Sequence, residues 1–201
     1  MAGWLLVIGS ASFMVGAANP SLIQVWTAPQ DTQLRLINAA PTAWTITNVL
    51  FIVATVLTAT GLWLVPERVG DGGLLLAQGA AVVYLLAATA WLASLVFRFA
   101  VTPHAASAFV AQGSLDATYL TIDRWAGGLF GVFTYLAGAS LVAIGVAVIQ
   151  GGVLSVIAGW AAMAIGVVIA AGYGILGDMP PFVSYLPTGL LGIVLLLQPS
   201  S

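Results

Sequence analysis

The chain has no cysteine, no lysine and a single histidine. Without cysteine there is no disulfide, no thiolate nucleophile, no iron–sulfur cluster and no Cys-type zinc site. Without lysine there is no Schiff base, which excludes retinal pigments. One histidine cannot supply an axial pair for a haem held between helices, nor the several His ligands of membrane desaturases and metal-dependent membrane hydrolases. Charge is equally scarce. Only 5% of the 201 residues are charged, against about 25% in a soluble domain. Four Arg and six acids leave a net charge of −2, so the basic patches that nucleic acid requires are missing. No Arg cluster flanks an apolar run, so no obvious docking point for anionic headgroups exists. The glycine-containing "RVGDGG" (68–73) is too short for a phosphate loop and lacks the following Lys-Ser/Thr. No Asp or Glu falls in the middle of an apolar run, where proton and ion carriers usually place one.

What is abundant is apolar surface. Hydrophobic residues make up 61% of the chain, and the mean hydropathy is +1.12. So few charges cannot coat a water-facing globule, and the bilayer is the expected solvent. A membrane helix takes about 20 apolar residues. Six runs reach or approach that length: Trp4–Ala18, Trp44–Val65, Leu74–Phe97, Trp125–Ile149, Val153–Leu176 and Phe182–Leu197. The first lacks a basic flank and a small-x-small cleavage site, and reads as a retained helix, not a signal peptide. The sequence therefore predicts an all-α polytopic membrane helix bundle: one transmembrane domain over 1–201, with six transmembrane helices, in the cell membrane.

The connections alternate in length. "PERVGDGG" (66–73) and "QGG" (150–152) are tight, whereas 19–43 and 98–124 are long. Six crossings put both termini and the tight turns on one side and the long loops on the other. Short interfacial helices are expected in both long loops. Leu34 and Ile37 lie three apart beside Asp31 and Arg35. Leu115, Tyr119, Ile122 and Ala126 recur at helical spacing behind Ser114, a candidate N-cap. Trp44 and Trp125 begin spans, where an indole favours the headgroup layer. The span–loop–Trp–span order of 1–65 and 74–149 hints at a duplicated hairpin.

From Gly131 to Gly166 a glycine recurs every seven residues. Small side chains let membrane helices approach closely, so the fourth and fifth runs should form a tight hairpin. A groove admitting a lipid is the sharper alternative. In "GILGDMPPFVSYLPTG" (174–189), Gly177 is a helix stop and Pro181 suits the first turn of a new helix. Asp178 would stand near that helix's positive end.

Nearly all ionisable groups fall on the long-loop side. Arg35, Arg98, His104, Asp116, Asp123, Arg124 and Asp178 are the candidate site, a polar cap cluster or ligand contact. An ion-pair belt joining Arg98 to Asp123-Arg124 explains the same residues without any function. His104, after Thr102-Pro103, is expected in a loop and has no spaced partner. No catalytic constellation, cofactor or metal ligand set is expected.

"NAAPTAW" (38–44), "DRWAGGLFGVF" (123–133) and "GDMPPFVSYLPTGLLG" (177–192) together resemble a group of bacterial integral-membrane proteins of unknown function, mostly from actinobacteria. The resemblance covers essentially the whole chain. It implies basic residues before the first span and between the fourth and fifth, and thus a loop face outside the cytoplasm. This chain has "MAGW" and "QGG" at those points. Its own count, Arg35, Arg98 and Arg124 against Arg68 and the amino terminus, favours the reverse.

Three functions are compatible with these features. The first is a non-enzymatic membrane protein that associates or binds a lipid or other apolar ligand. Membrane lipid, a second copy or another membrane protein would be its partners, and nucleic acid would not. The second is a small oligomeric transporter or channel. The third is an interfacial membrane enzyme using His104 and a cap carboxylate.

Overall fold

In hydrocarbon no water can satisfy a free N–H or C=O, so apolar runs of this length close their hydrogen bonds internally as helices. The structure, a computed structural model, describes residues 1–177 and 180–197. Among the described residues every regular element is helical. The long helices are α1 (Ala2–Ala17), α2 (Gln30–Ala39), α3 (Pro41–Trp63), α4 (Leu74–Ala100), α5 (Thr102–Gln112), α6 (Ala117–Gly151), α7 (Val156–Leu176) and α8 (Phe182–Leu197). Short 3-10 turns occupy Ile23–Trp26, Val65–Arg68 and Asp71–Gly73. Helices α3, α4, α6 and α7 are long and apolar enough to cross a membrane. Helices α1 and α8 are equally greasy but have 16 residues each, about 24 Å at 1.5 Å per residue.

Six helices close a ring: α8 packs on α1, α1 on α3, α3 on α4, α4 on α6, and α6 on α7. The α7–α8 seam that completes it is the thinnest. The centre is filled by Phe13, Phe51, Tyr84, Trp91, Phe133 and Tyr185, each at most 2% exposed. Large aliphatic side chains such as Ile8, Val53, Leu86 and Ile157 point outward, the inverse of a water-soluble bundle and the arrangement expected in lipid. The first amino acids, the Val65–Arg68 turn and the end of α8 meet around one small hollow lined by Met1, Glu67, Arg68 and Leu195. Gly70 and Gly151 place the two tight turns backbone against backbone at this end.

The predicted α6–α7 hairpin forms through its glycines. A Cβ on Gly138 would come 2.8 Å from the Gly166 carbonyl oxygen, and one on Gly159 would come 2.8 Å from that of Gly145. The partner backbone thus occupies the stripe, and the lipid groove expected as an alternative is closed. Gly152 is not part of the seam. It ends α6 in the left-handed region at φ 66°, as Gly177 ends α7 at φ 71°, a conformation that glycine adopts without Cβ strain.

At the other end, α2 lies against α5 and makes a cap. Leu34 and Ile37 are buried, as their spacing requires, together with Ala106 and Phe109 of α5 and with Phe97 and Tyr119. The expected helix in the second long loop is the first part of α6, which runs without a break into the span. Its N-cap is Asp116, whose carboxylate accepts from the Thr118 N–H at 2.6 Å, and not Ser114. Helix α5 replaces the expected loop around His104. Pro103 sits in its first turn, where a missing N–H costs nothing. Trp44 is not a headgroup anchor: it is 2% exposed, and its indole N–H donates to the Arg98 carbonyl at 2.8 Å. Trp125, 58% exposed, keeps the expected outward position.

Candidate functional site

Rigid rings on converging helices cannot interdigitate as branched aliphatic chains do, and beneath the cap they leave space. A cavity of about 720 Å³ opens there. Phe13 from α1, Phe51 from α3, Trp91 from α4 and Phe130 from α6 form its floor, and Trp26 and Trp44 stand in the wall. Leu34 and Ile37 of α2 face it from the cap, and Pro181 and Phe182 border it at the start of α8. The floor is an aromatic cluster, stacked around Phe13 and tilted between Trp91 and Phe130. Phe13 lies 4.2 Å from Phe51 and 4.1 Å from Tyr185, centroid to centroid, and Trp91 lies 5.1 Å from Phe130. Such aromatic pairs add to burial by about 0.5–1.5 kcal/mol each.

Polar groups enter at a few points. Arg98, in the last turn of α4, brings its guanidinium carbon to 5.1 Å from the Trp44 ring, 5.4 Å from Trp26 and 6.0 Å from Trp91. Three rings offset the charge through their negative faces. They offer no oxygen, however, and the enclosed Arg98 Nε has no acceptor among the described residues. Asp123 of α6 lines the same cavity, and its Oδ2 accepts from the Gln30 side chain at 3.2 Å, tying α2 to α6. Gln33, which donates to the Ala28 carbonyl at 2.7 Å, lines the cavity as well, with Thr27, Ser94, Thr102 and Tyr119.

The cap cluster read from the sequence thus separates into two groups. Arg98 and Asp123 meet in the cavity. Arg35, His104, Asp116 and Arg124 are exposed and do not line it. Arg35 covers the Phe109 ring at 5.2 Å. The His104 Nδ1 lies within 3.1 Å of the Ala100 carbonyl one turn back. Asp116 is spent on the helix cap, and the Thr118 hydrogen bonds hold its carboxyl below the usual carboxylate range. Asp178 lies outside the described residues. Arg98 and Asp123 act on each other's charge, and aromatic faces enclose Arg98 besides. Among the described residues no group of three His, Asp or Glu side chains gathers to hold a metal.

Trp26, Trp44, Trp91 and Gln30 belong to the site and were not singled out for it from the sequence. One signal was available: Trp91 and Arg98 stand seven residues apart, two turns along one face of α4. Trp26 and Trp44 arrive from elsewhere in the chain and left none.

Comparison of the chain with family models, with curated proteins and with solved structures gives no match. Its site is therefore read from its own geometry.

Proposed function

We propose that this chain is a non-enzymatic membrane protein with six spans that holds an amphipathic, lipid-like molecule under its cap. The observation that carries this reading is the cavity: about 720 Å³, aromatic on its floor, with a single cation and a single anion among its described lining residues. Ligand sites are typically clefts of about 300–1,000 Å³, mostly apolar, with a few convergent polar groups. A charged side chain beside a membrane core is costly and is a functional candidate by default. The six-span arrangement draws support from α1 and α8. They pair closely at Gly3 and Gly192 and belong to the same ring as the four longer helices. Short spans are accommodated by local thinning of the bilayer. The resemblance to bacterial integral-membrane proteins fits a cell-membrane location.

The test is native mass spectrometry of the full chain released from mild detergent, beside a Gly127→Phe variant. Gly127 lines the cavity, and a Cβ there meets no atom within 4 Å. The added ring should fill the space without a clash. Co-purified lipid on the unmodified chain, absent from the variant, is the expected result. Equal occupancy of both, or none on either, would remove the proposal.

A transporter remains the second reading, favoured by one feature. Buried polar groups continue from the floor downward: Thr55 and Tyr185 share a 2.7 Å hydrogen bond, and Thr58 Oγ1, Tyr84 OH and the floor's own Trp91 Nε1 are buried without partners among the described residues. Solute flux in proteoliposomes, lost in Tyr185→Phe, would favour it over binding alone.

A further inference from the structure

We infer that the occupant of the cap cavity carries one negative charge on its headgroup, a carboxylate or a singly ionised phosphate ester, with Arg98 as the residue that reads it. This rests on the cavity being a ligand site and specifies what the ligand must be. Arg98 is the only cation among the described lining residues. Its charge is surrounded by three indole rings, and its Nε is shut off from solvent with no acceptor among the described residues. Aromatic faces attract a cation but cannot take its N–H hydrogen bonds, and a guanidinium presents five donors in a planar fork that matches a carboxylate or phosphate. The rings also fix the fork, so little rotamer freedom remains to be lost when an anion arrives. Arg98 is half-buried with its Nε enclosed, so an oxyanion from a ligand would meet the outer edge of the fork, held in place by the rings.

The apolar floor specifies the rest of the molecule. Phe13, Phe51 and Phe130 can cover a hydrocarbon tail and offer nothing to a free ion. Asp123 limits the charge. It lines the same cavity, and Gln30 holds its Oδ2. This carboxylate already acts on the Arg98 charge, so one negative headgroup charge can share the guanidinium with it and a second would be repelled.

The experiment uses quenching of tryptophan fluorescence in the full chain, purified in a non-ionic detergent. The probes are a dibrominated fatty acid and the dibrominated alcohol of the same chain length. Quenching retained by Gly127→Phe is subtracted as partition into the micelle. The acid should bind at least about tenfold tighter than the alcohol. In Arg98→Gln the acid should fall to the level of the alcohol, with the alcohol unchanged. Asp123→Asn should not weaken binding of the acid, and should improve binding of a single-chain alkyl phosphate by a larger factor above its second ionisation, where it carries two charges. Acetate and inorganic phosphate, lacking a tail, should not compete at the same concentrations. Equal binding of acid and alcohol by the unmodified chain would overturn the headgroup assignment and leave the cavity as a ligand site. No cavity-dependent quenching by either probe would overturn both. Competition by inorganic phosphate would turn the site into one for a free anion. Should Arg98→Gln fail to fold, the acid-to-alcohol ratio of the unmodified chain still decides the matter.

Discussion

The glycine seam between α6 and α7 and the aromatic floor under the cap were both places where an apolar ligand could lodge, and they differ in outcome. The seam is built from the smallest side chain available, and it holds no space. Gly138 faces Gly166 and Gly145 faces Gly159, backbone on backbone. The floor is built from the largest side chains, and a cavity of about 720 Å³ lies above it. Removing side chains in a bilayer draws helices together, because close packing drives association there and burial of apolar surface contributes little. Bulky rings from α1, α3, α4 and α6 hold those four helices apart under the cap. Helix α6 takes part in both. Asp123, Ala126, Gly127 and Phe130 in its first half line the cavity, and Gly138 and Gly145 in its second half form the seam.

The strongest way to break this comparison is to put the same side chain into each region. A Cβ on Gly166 would stand 2.5 Å from the Gly138 carbonyl oxygen and 2.9 Å from the Val142 backbone nitrogen. Backbone cannot rotate away, so Gly166→Leu should destabilise by at least about 3 kcal/mol. Gly127→Leu meets open space and should change stability by no more than about 1 kcal/mol, in the stabilising direction because leucine is the better helix former. Thermal melts of both variants in detergent, followed by circular dichroism, measure the difference. Equal effects would mean that the seam is looser than its geometry.

A second substitution asks whether the floor is itself structural. Phe13 is 1% exposed and stacked between Phe51 and Tyr185. Phe13→Ala should cost about 3 kcal/mol and enlarge the cavity from below. Longer acyl chains should then gain affinity relative to shorter ones. A stability loss with unchanged chain-length preference would place the tail elsewhere. A smaller loss is expected from Tyr185→Phe, which removes the 2.7 Å hydrogen bond to Thr55 just beneath the floor. Hydrogen bonds between membrane helices are worth about 1 kcal/mol or less, since the separated helices also find partners. The same melts check it, and a loss above about 2 kcal/mol would mark the hydroxyl as part of a larger network.

The two regions were not equally legible in the sequence. The seam was written in its spacing: a glycine every seven residues names both the face and the neighbouring helix, because a tight turn leaves α7 nowhere else to go. Helix α2 was legible from Leu34 and Ile37, and the long reach of α6 from Tyr119 and Ala126. Helix α5 was hidden by its composition, since alanines at 105, 106, 108 and 111 blur any periodic face. Its signal was Pro103 as a first-turn residue, followed by no glycine until Gly113. Arg98 and Asp123 were legible as polar residues at span ends. Their enclosure was not, because Trp26 lies 72 residues before Arg98 and Trp44 lies 54 before it, and nothing local encodes which rings a folded ring of helices brings together. A charge count pointed to Arg98 and Asp123 acting on one another and gave no hint of the aromatic faces around the cation.

The mildest perturbation separates the two halves of α6. Asp116 caps that helix at the cavity end, far along the chain from Gly138 and Gly145. Its carboxyl is held below the ordinary range by the hydrogen bonds from Thr118. A group whose folded value is depressed contributes its stabilisation above the unfolded value and loses it as pH falls through the folded one. Asp116→Ala should therefore speed amide hydrogen exchange in the first turn of α6 at neutral pH, after correction for intrinsic rates. The two proteins should converge once acid has protonated the native carboxyl. Exchange around Gly138 should be the same in both throughout, because fraying of an N-terminal turn does not propagate through five turns of packed helix. A difference that persists undiminished in acid would show that the side chain acts there by something other than its charge. A change at Gly138 would mean that cavity and seam are coupled along α6, and that a ligand bound under the cap could be felt by α7.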